Sequence, residues 1–277
     1  MPSISFIPCA NAQKLRDTIA PWLADDPVPC ALACGIAERF ATPGDWAGVF
    51  TADGLPIAAL VQTPPHPVII AAPGTVDTAC VEAVAALLRD RAGTVQGING
   101  PSAWAEAVAQ ALGAQICERM GLRLHRLAGP PRIPRQVAGQ LRPFASDETE
   151  ILIGWDQAFG REIEPGQPTP QRDQATLDRF RADSVVWSVD NRPVSMARRV
   201  RPLLGGWTIS AVYTPPDLRG QGYAGAAVHG LSAMLLAEGA SYVALFTDLA
   251  NPISNRLYAR IGFVPCLDQV RILWSAL

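Results

Sequence analysis

The sequence predicts an α/β chain built as two tandem domains, and three observations carry that expectation. Its 277 residues are too many for one compact core of ordinary size and enough for two. A proline- and glycine-rich stretch, Gly129-Pro130-Pro131-Arg132-Ile133-Pro134, interrupts the middle of the chain, so the domains are placed at 1–134 and 135–277. Each side also carries the same local pattern of strand, tight turn and strand.

In the first half that pattern begins at Trp46-Ala47-Gly48-Val49-Phe50 and passes through Asp53-Gly54-Leu55-Pro56 into Ile57-Ala58-Ala59-Leu60-Val61. Asp-Gly tolerates the positive φ angles of a two-residue turn, and the flanks are rich in strand formers, so a hairpin is expected. A helix follows over 81–88. The glycine-rich turn Gln96-Gly97-Ile98-Asn99-Gly100-Pro101 lacks a basic residue and reads as punctuation between a strand and a helix. In the second half a strand over 140–144 and helices over 147–162 and 171–183 precede the matching hairpin, 185–189 to 194–197 around Asp190-Asn191. A second proline cluster, 164–170, separates the two helices and reads as a surface loop.

The stretch from Trp207 to Phe263 is where chemistry concentrates. Residues 209–213 alternate as a strand, and Thr214-Pro215-Pro216 stops it. Arg219-Gly220-Gln221-Gly222-Tyr223-Ala224-Gly225 then opens a helix that Gly239 ends. A glycine-rich turn at a helix N-terminus aims free N–H groups and the positive end of the helix dipole at one place, and Arg219 adds a charge there, so an anion is expected to bind. The same residues spell the G-x-G-x-x-G of a dinucleotide fold, with Asp248 about 20 residues on as a ribose ligand. Two features oppose that reading: residues 214–218 hold the turn away from its strand, and too little chain follows Asp248 for the further strand–helix units.

The loop matches the R/Q-x-x-G-x-G/A signature, and Asn251-Pro252-Ile253-Ser254-Asn255-Arg256-Leu257-Tyr258-Ala259-Arg260-Ile261-Gly262-Phe263 matches the N-x-x-S-x-x-L-Y-x-x-x-G-F block. In that order and at that separation the two motifs resemble the GNAT N-acetyltransferases. The resemblance covers about 141 to the end of the chain and implies a mixed, mostly antiparallel central sheet flanked by helices, in the order β-α-α-β-β-β-loop-α-β-α-β. It implies tandem GNAT-like domains, the first degenerate, without the glycine loop, and walling the acceptor pocket of the second.

The resemblance also implies that acetyl-CoA is the cosubstrate, with its pyrophosphate on Arg219, Gly220, Gln221, Gly222, Tyr223 and Ala224. Its pantetheine arm would lie against the backbone of Val212 and Tyr213, where the family's strands splay, and against Asn255. Tyr258 would protonate the leaving thiolate, a role open to a phenol near pKa 10; packing with a bond to a backbone carbonyl is its other reading. Asn255 is nearly as readable as a solvated helix residue, and Asn251, also a candidate cofactor contact, as the cap of the short helix over 254–260. For the general base, Asp248 and Glu162 are the carboxylates to examine, beside ordered water and simple surface roles. Arg198, Arg199 and Arg201 read as a solvated strand edge, or as contacts of the CoA 3′-phosphate.

Composition narrows the partners. With 23 basic and 25 acidic residues the net charge is −2, which argues against a nucleic-acid binder. The resemblance implies an amine of a small molecule or peptide as acceptor; no acidic stretch points to a polyamine or histone tail, and the sequence does not say which amine it is. No apolar run reaches the length of a membrane span, no targeting segment is evident, and the cytoplasm is the expected location. The six cysteines and three histidines form no metal template, so no metal is expected and the thiols read as reduced core fillers. A non-catalytic acyl-CoA sensor and a nucleotide-linked oxidoreductase are the competing classes.

Overall fold

The computed structural model describes residues 3–163 and 173–276. The 164–170 segment read as a loop lies outside the described residues. The first half runs β1 (Ile4–Cys9), α1 (Ala12–Thr18), α2 (Ala20–Asp25), α3 (Ala31–Ala37), β2 (Trp46–Ala52), β3 (Leu55–Gln62), β4 (Val68–Ala71), α4 (Thr78–Arg89), β5 (Gly97–Pro101), α5 (Ser102–Leu112) and β6 (Ile116–Leu127). The second runs β7 (Gln140–Pro143), α6 (Thr149–Ile163), α7 (Gln174–Asp183), β8 (Ser184–Val189), β9 (Arg192–Leu203), β10 (Gly206–Tyr213), α8 (Tyr223–Ala237), β11 (Val243–Asp248), α9 (Pro252–Ile261) and β12 (Phe263–Trp274). Apart from one extra helix early in the first half, the two orders are the same.

Local chemistry explains the elements. Both hairpins turn on residues with positive φ, Asp53 at 48° with Gly54 at 82°, and Asp190 at 47° with Asn191 at 61°. Helix α8 ends in a Schellman pattern: Gly239 N–H donates to Leu236 and Ala240 N–H to Leu235. Asn251 caps α9 by accepting from the N–H groups of Ile253 and Ser254. One expectation is corrected: 97–101 is a sheet strand rather than punctuation. Backbones approach so closely there that a Cβ on Gly97 would lie 2.5 Å from the Ile272 carbonyl oxygen and one on Gly100 2.3 Å from that of Ile70.

The strands form one sheet in the order β1-β2-β3-β4-β5-β12-β6-β11-β10-β9-β8-β7. The closing strands are exchanged. β12, from the second half, pairs antiparallel with β5 of the first, and β6, from the first, pairs antiparallel with β11 of the second. The two exchanged strands pair with each other from Phe263–Leu127 to Trp274–Ile116. A bidentate ion pair lies across that pairing, Arg123 Nε to Asp268 Oδ1 at 2.6 Å and Arg123 Nη2 to Asp268 Oδ2 at 2.7 Å.

The cores follow the exchange. Val270, Ile272 and Trp274 of β12 are buried beneath α4 and α5, and Leu127 of β6 is buried among residues of α8 and α9. Each such side chain contributes about 1.5–3 kcal/mol when fully buried. Neither half therefore carries a complete core on its own residues. Four cysteines, Cys9, Cys30, Cys34 and Cys80, do fill core space as reduced thiols, whereas Cys117 and Cys266 are exposed. Expressed alone, residues 135–277 are expected to aggregate and show no cooperative melt, while co-expression with 1–134 restores a soluble complex. Size-exclusion chromatography with circular dichroism checks this, and a monomeric, cooperatively melting 135–277 would contradict it.

Candidate active site

The site forms where two neighbouring strands part. β10 and β11 pair in parallel from Trp207–Val243 to Ile209–Leu245 and no further. Beyond Ile209 an extra residue enters β10, because Ser210 pairs with Arg198 and Tyr213 with Met196. That residue is Ala211, at φ 49°, and the bulge bends β10 away from β11. β11 stays on course because β6 holds its other edge as far as Asp248–Leu122. Two cavities open from the gap, and both are lined by Val212, Glu162, Asn251, Ser254 and Tyr258.

The outer cavity, about 640 Å³, lies over the glycine loop and the start of α8. Gly220 at φ 78° and Gly222 at φ 93° adopt the left-handed conformation that favours glycine, and no side chain caps the α8 N-terminus. The first-turn N–H groups of α8, which have no partner within the helix, therefore face the cavity. Among the described residues, Arg135, Arg219, Arg256 and Arg260 line it against one carboxylate, Glu162. A polyanion fits that balance. Gly220, Gly222, Tyr223 and Ala224 line the cavity as expected, whereas Gln221 is exposed outside it, accepting from the Tyr223 hydroxyl at 3.0 Å.

Arg219 holds three partners already. Its Nε donates to the Thr214 carbonyl at 2.9 Å, its Nη2 pairs with Glu162 at 2.5 Å, and its guanidinium lies 5.8 Å from the Tyr213 ring centre. Thus the expected anion ligand and one of the two candidate bases are bonded to each other. Both are about half exposed, so the pair is worth at most about 1 kcal/mol and is readily exchanged.

The inner cavity, about 460 Å³, lies between α6 and α3 over β10, β11 and β6. Leu32, Asn99, Met120 and Leu122 of the first half wall it together with Phe159, Ile163 and Phe246 of the second. Its charged lining is Glu162, Asp248 and Arg201 among the described residues. Asp248 Oδ1 accepts from the Ala250 N–H at 2.8 Å.

Tyr258 stands at the junction. It is 8% exposed, its ring packs edge-on against Phe263, and its hydroxyl has no hydrogen bond among the described residues. Burial pushes its pKa up to about 12, so the phenol stays protonated at neutral pH. The alternative role, a bond to a backbone carbonyl, is not what the hydroxyl makes.

Three expectations need correction. The Asn255 side chain lines neither cavity. Its Nδ2 donates to the carbonyls of Asp248 at 3.0 Å and Asn251 at 2.8 Å, and its Oδ1 accepts from Thr247 at 2.6 Å, so it ties α9 to the end of β11. Tyr213 likewise lines neither: its ring is buried and its carbonyl accepts from Ser195 Oγ at 3.0 Å, so of the two residues expected there Val212 alone lines the cavities, beside Ile209, Ser210 and Ala211 of the same strand in the inner one. The arginine cluster is neither a solvated edge nor part of the outer cavity. Arg198 is buried on Asp156 at 2.8 Å, and Arg199 pairs with Asp183 and Glu238. Arg201 lines the inner cavity.

Sequence reading missed Arg135, Arg256, Arg260 and Ser254 as lining residues. The spacing of Arg256 and Arg260, one helical turn apart, was the available signal. Behind Asn255 lies a further polar contact. Thr247 spends its proton on Asn255, so His125 Nε2–H donates to the Thr247 oxygen, 3.1 Å away.

A family model described as the acetyltransferase (GNAT) family matches residues 150–263. Solved structures with a similar fold include a GCN5-related N-acetyltransferase from Sphaerobacter thermophilus, 16% identical with a TM-score of 0.63, covering 99% of this chain and 97% of that one. A GNAT-family acetyltransferase from Colwellia psychrerythraea is 11% identical at TM-score 0.60, covering 98% and 100%. A tandem GNAT protein from the clavulanic acid biosynthesis pathway is 15% identical at TM-score 0.56, covering 99% of each chain. The search of curated proteins found no match. The fold is thus tandem GNAT-like in both halves. No helix of the described residues is long and apolar enough to cross a membrane, and no His, Cys, Asp or Glu cluster among them could hold a metal ion.

The buried histidine gives a pH prediction. Burial, and then the Arg123 guanidinium, lower the His125 pKa below 6.5. The unfolded chain then binds a proton more readily than the folded one, so stability falls as pH drops through 6.5 and levels off below the folded value. The slope attributable to this group is at most about 1.4 kcal/mol per pH unit. Urea midpoints measured across that window are expected to vary less with pH in His125→Gln than in the unsubstituted protein.

Proposed function

Residues 150–263 form a domain of the GNAT acetyltransferase family, and from that premise we propose that the chain transfers an acetyl group from acetyl-CoA directly to the amine of a small molecule or peptide. The observation that carries the reading is the meeting of the two cavities at Tyr258 and Val212. One has the shape and charge for a pyrophosphate, the other opens between the halves, and the gap between β10 and β11 joins them.

The residues fit the cosubstrate. The uncapped α8 N-terminus with Arg219, Arg135, Arg256 and Arg260 would hold its phosphates, and the exposed backbone edge at Val212 would take its amide arm as an added strand. Acetyl-CoA supplies a thioester whose carbonyl an amine can attack. Tyr258 supplies the proton that sulfur takes as the C–S bond breaks and the C–N bond forms, and its high pKa keeps that proton in place until then. The amine loses a proton to Asp248, to Glu162 once Arg219 turns to phosphate, or to water, and the phenol is reprotonated from solvent. Binding energy from the phosphates positions the reacting atoms, which is the larger part of such catalysis.

Titration calorimetry with acetyl-CoA and CoA tests the site. Micromolar binding is expected, with a loss of about 100-fold in Arg219→Ala combined with Gly220→Asp. A Cβ at Gly220 meets nothing within 4 Å, but φ 78° strains any residue other than glycine there. Arg219→Ala alone, which leaves the loop backbone untouched, is therefore measured beside the double variant and is expected to lose part of the same affinity. Tyr258→Phe is expected to lower kcat by about 100-fold or more in an assay of CoA thiol release over an amine panel, with the affinity for acetyl-CoA unchanged. Binding without thiol release would favour an acyl-CoA sensor, and the absence of binding would overturn the reading.

A further inference from the structure

Arg201 stands out in the inner cavity because nothing among the described residues neutralises it. It has no hydrogen bond or ion pair among the described residues, and it is largely shielded from solvent. Burial, with the nearby Arg39, pushes its pKa down to about 10, and no carboxylate opposes that shift. It nevertheless remains a cation at neutral pH. An unpaired cation in a partly closed cavity costs stability, and such a group is retained most readily where a ligand completes the pair.

The backbone has been bent to put it there. Val200 pairs with Thr208 and Leu203 with Gly206, so β9 carries an extra residue between those pairs. Arg201 sits in that bulge at φ 52°. Regular alternation would send its side chain to the same face as Arg199, towards Glu238 on α8. The bulge turns it to the opposite face, against α3, where the stem lies over Gly35. A Cβ on Gly35 would meet Arg201 Cβ and Cγ at 2.8 Å, so the glycine is what admits the side chain. Elsewhere in the lining of the cavity, Asn99 Oδ1 is buried without a partner among the described residues.

We propose that Arg201 binds a carboxylate on the acceptor, so that the substrate class is a small amine that also carries a carboxylate. This rests on reading the inner cavity as the acceptor chamber. The charge layout suits a zwitterion. Arg201 lies at the level where β9 and β10 leave their hairpin, while Val212 is four residues beyond Thr208 on β10, about 13 Å at strand rise. Asp248 and Glu162 line the cavity together with Val212 and Tyr258, so the acidic groups are placed for the ammonium that must lose its proton there. A purely cationic amine gains nothing from Arg201 and is repelled by it. A single guanidinium matches one negative charge better than the two of a phosphate.

The test compares matched amines with acetyl-CoA, reading CoA thiol release with the full-length protein. The probes are α- and ω-amino acids of increasing length, the alkylamines lacking the carboxylate, and aminoalkyl phosphates. The best carboxylated amine is expected to exceed its alkylamine partner by about 30-fold or more in kcat/KM, about 2 kcal/mol. Arg201→Met should erase that gap by raising KM for the carboxylated amine and lowering it for alkylamines, with KM for acetyl-CoA unchanged; Arg201→Lys should keep part of the gap. Because an uncompensated charge is removed, free Arg201→Met should melt at or above the unsubstituted protein. Carboxylated amines should raise the melting temperature of the unsubstituted protein and not of Arg201→Met, a readout that needs neither turnover nor acetyl-CoA. Equal rates within pairs, a gap that survives Arg201→Met, or a preference for phosphates would overturn the proposal. Loss of acetyl-CoA binding alone would strike the transferase reading and leave the melting comparison to decide this one.

Discussion

Parallel pairing between β10 and β11 ends at Ile209–Leu245, and the site depends on why it ends there. Two constraints act in opposition. The extra residue at Ala211 bends β10 outward, while β6 keeps β11 paired as far as Asp248. Without the bulge the two strands would continue to close the gap. Without β6 the outer edge of β11 would be unpaired and free to follow. The opening is therefore held from both sides, by a defect in one strand and a borrowed neighbour for the other. A fixed gap matters for acyl transfer, since a displacement of about 1 Å at the reacting atoms can cost about two orders of magnitude in rate.

The exchange of closing strands links this local geometry to the whole chain. β6 belongs to the half with no glycine loop, yet it supplies Met120 and Leu122 to the inner cavity and the edge that steadies β11. The halves are alike in element order but differ at the matching helix start. In α4 the Asp77 carboxylate accepts from the Cys80 N–H at 2.7 Å, so an anion from the chain itself occupies the helix N-terminus. In α8 the matching place is Gly222, which brings no side chain. One half thus satisfies its helix dipole internally and serves as wall and scaffold; the other leaves the dipole exposed.

Much of this was legible in the residues, and the rest was not for identifiable reasons. Asp53-Gly54 and Asp190-Asn191 announce their hairpins because a tight turn needs positive φ at those positions. Asn251 and Gly262 bracket α9 because cap chemistry is local. Pairing across the sheet is not local, and nothing in the sequence between 116 and 127 says that this strand joins the other half. Bulges were equally hidden, and they account for the misreading of Arg201, whose place in the alternation predicts the wrong face. Asn255 was misplaced for a different reason. Its spacing from Tyr258 puts both on one side of the helix, but the backbone carbonyls at the end of β11 lie nearer than the cleft and satisfy its amide first.

Charge divides the site into two compartments with different demands. The outer cavity sets Arg135, Arg219, Arg256 and Arg260 against Glu162, and a polyanion entering it gains several contacts at once. In the inner cavity a single guanidinium faces Asp248 and Glu162 across mainly apolar walls. Glu162 belongs to both, and its bond to Arg219 at 2.5 Å couples them. Phosphate on Arg219 would compete for that bond, since both partners are anionic and the pair is half exposed. A Glu162 so released is more often free to accept a proton in the inner cavity once the outer one is filled. On the proposed transferase reading, electrostatics then favours an order of binding without imposing it: an acceptor ammonium meets a second free carboxylate more often once the donor is in place.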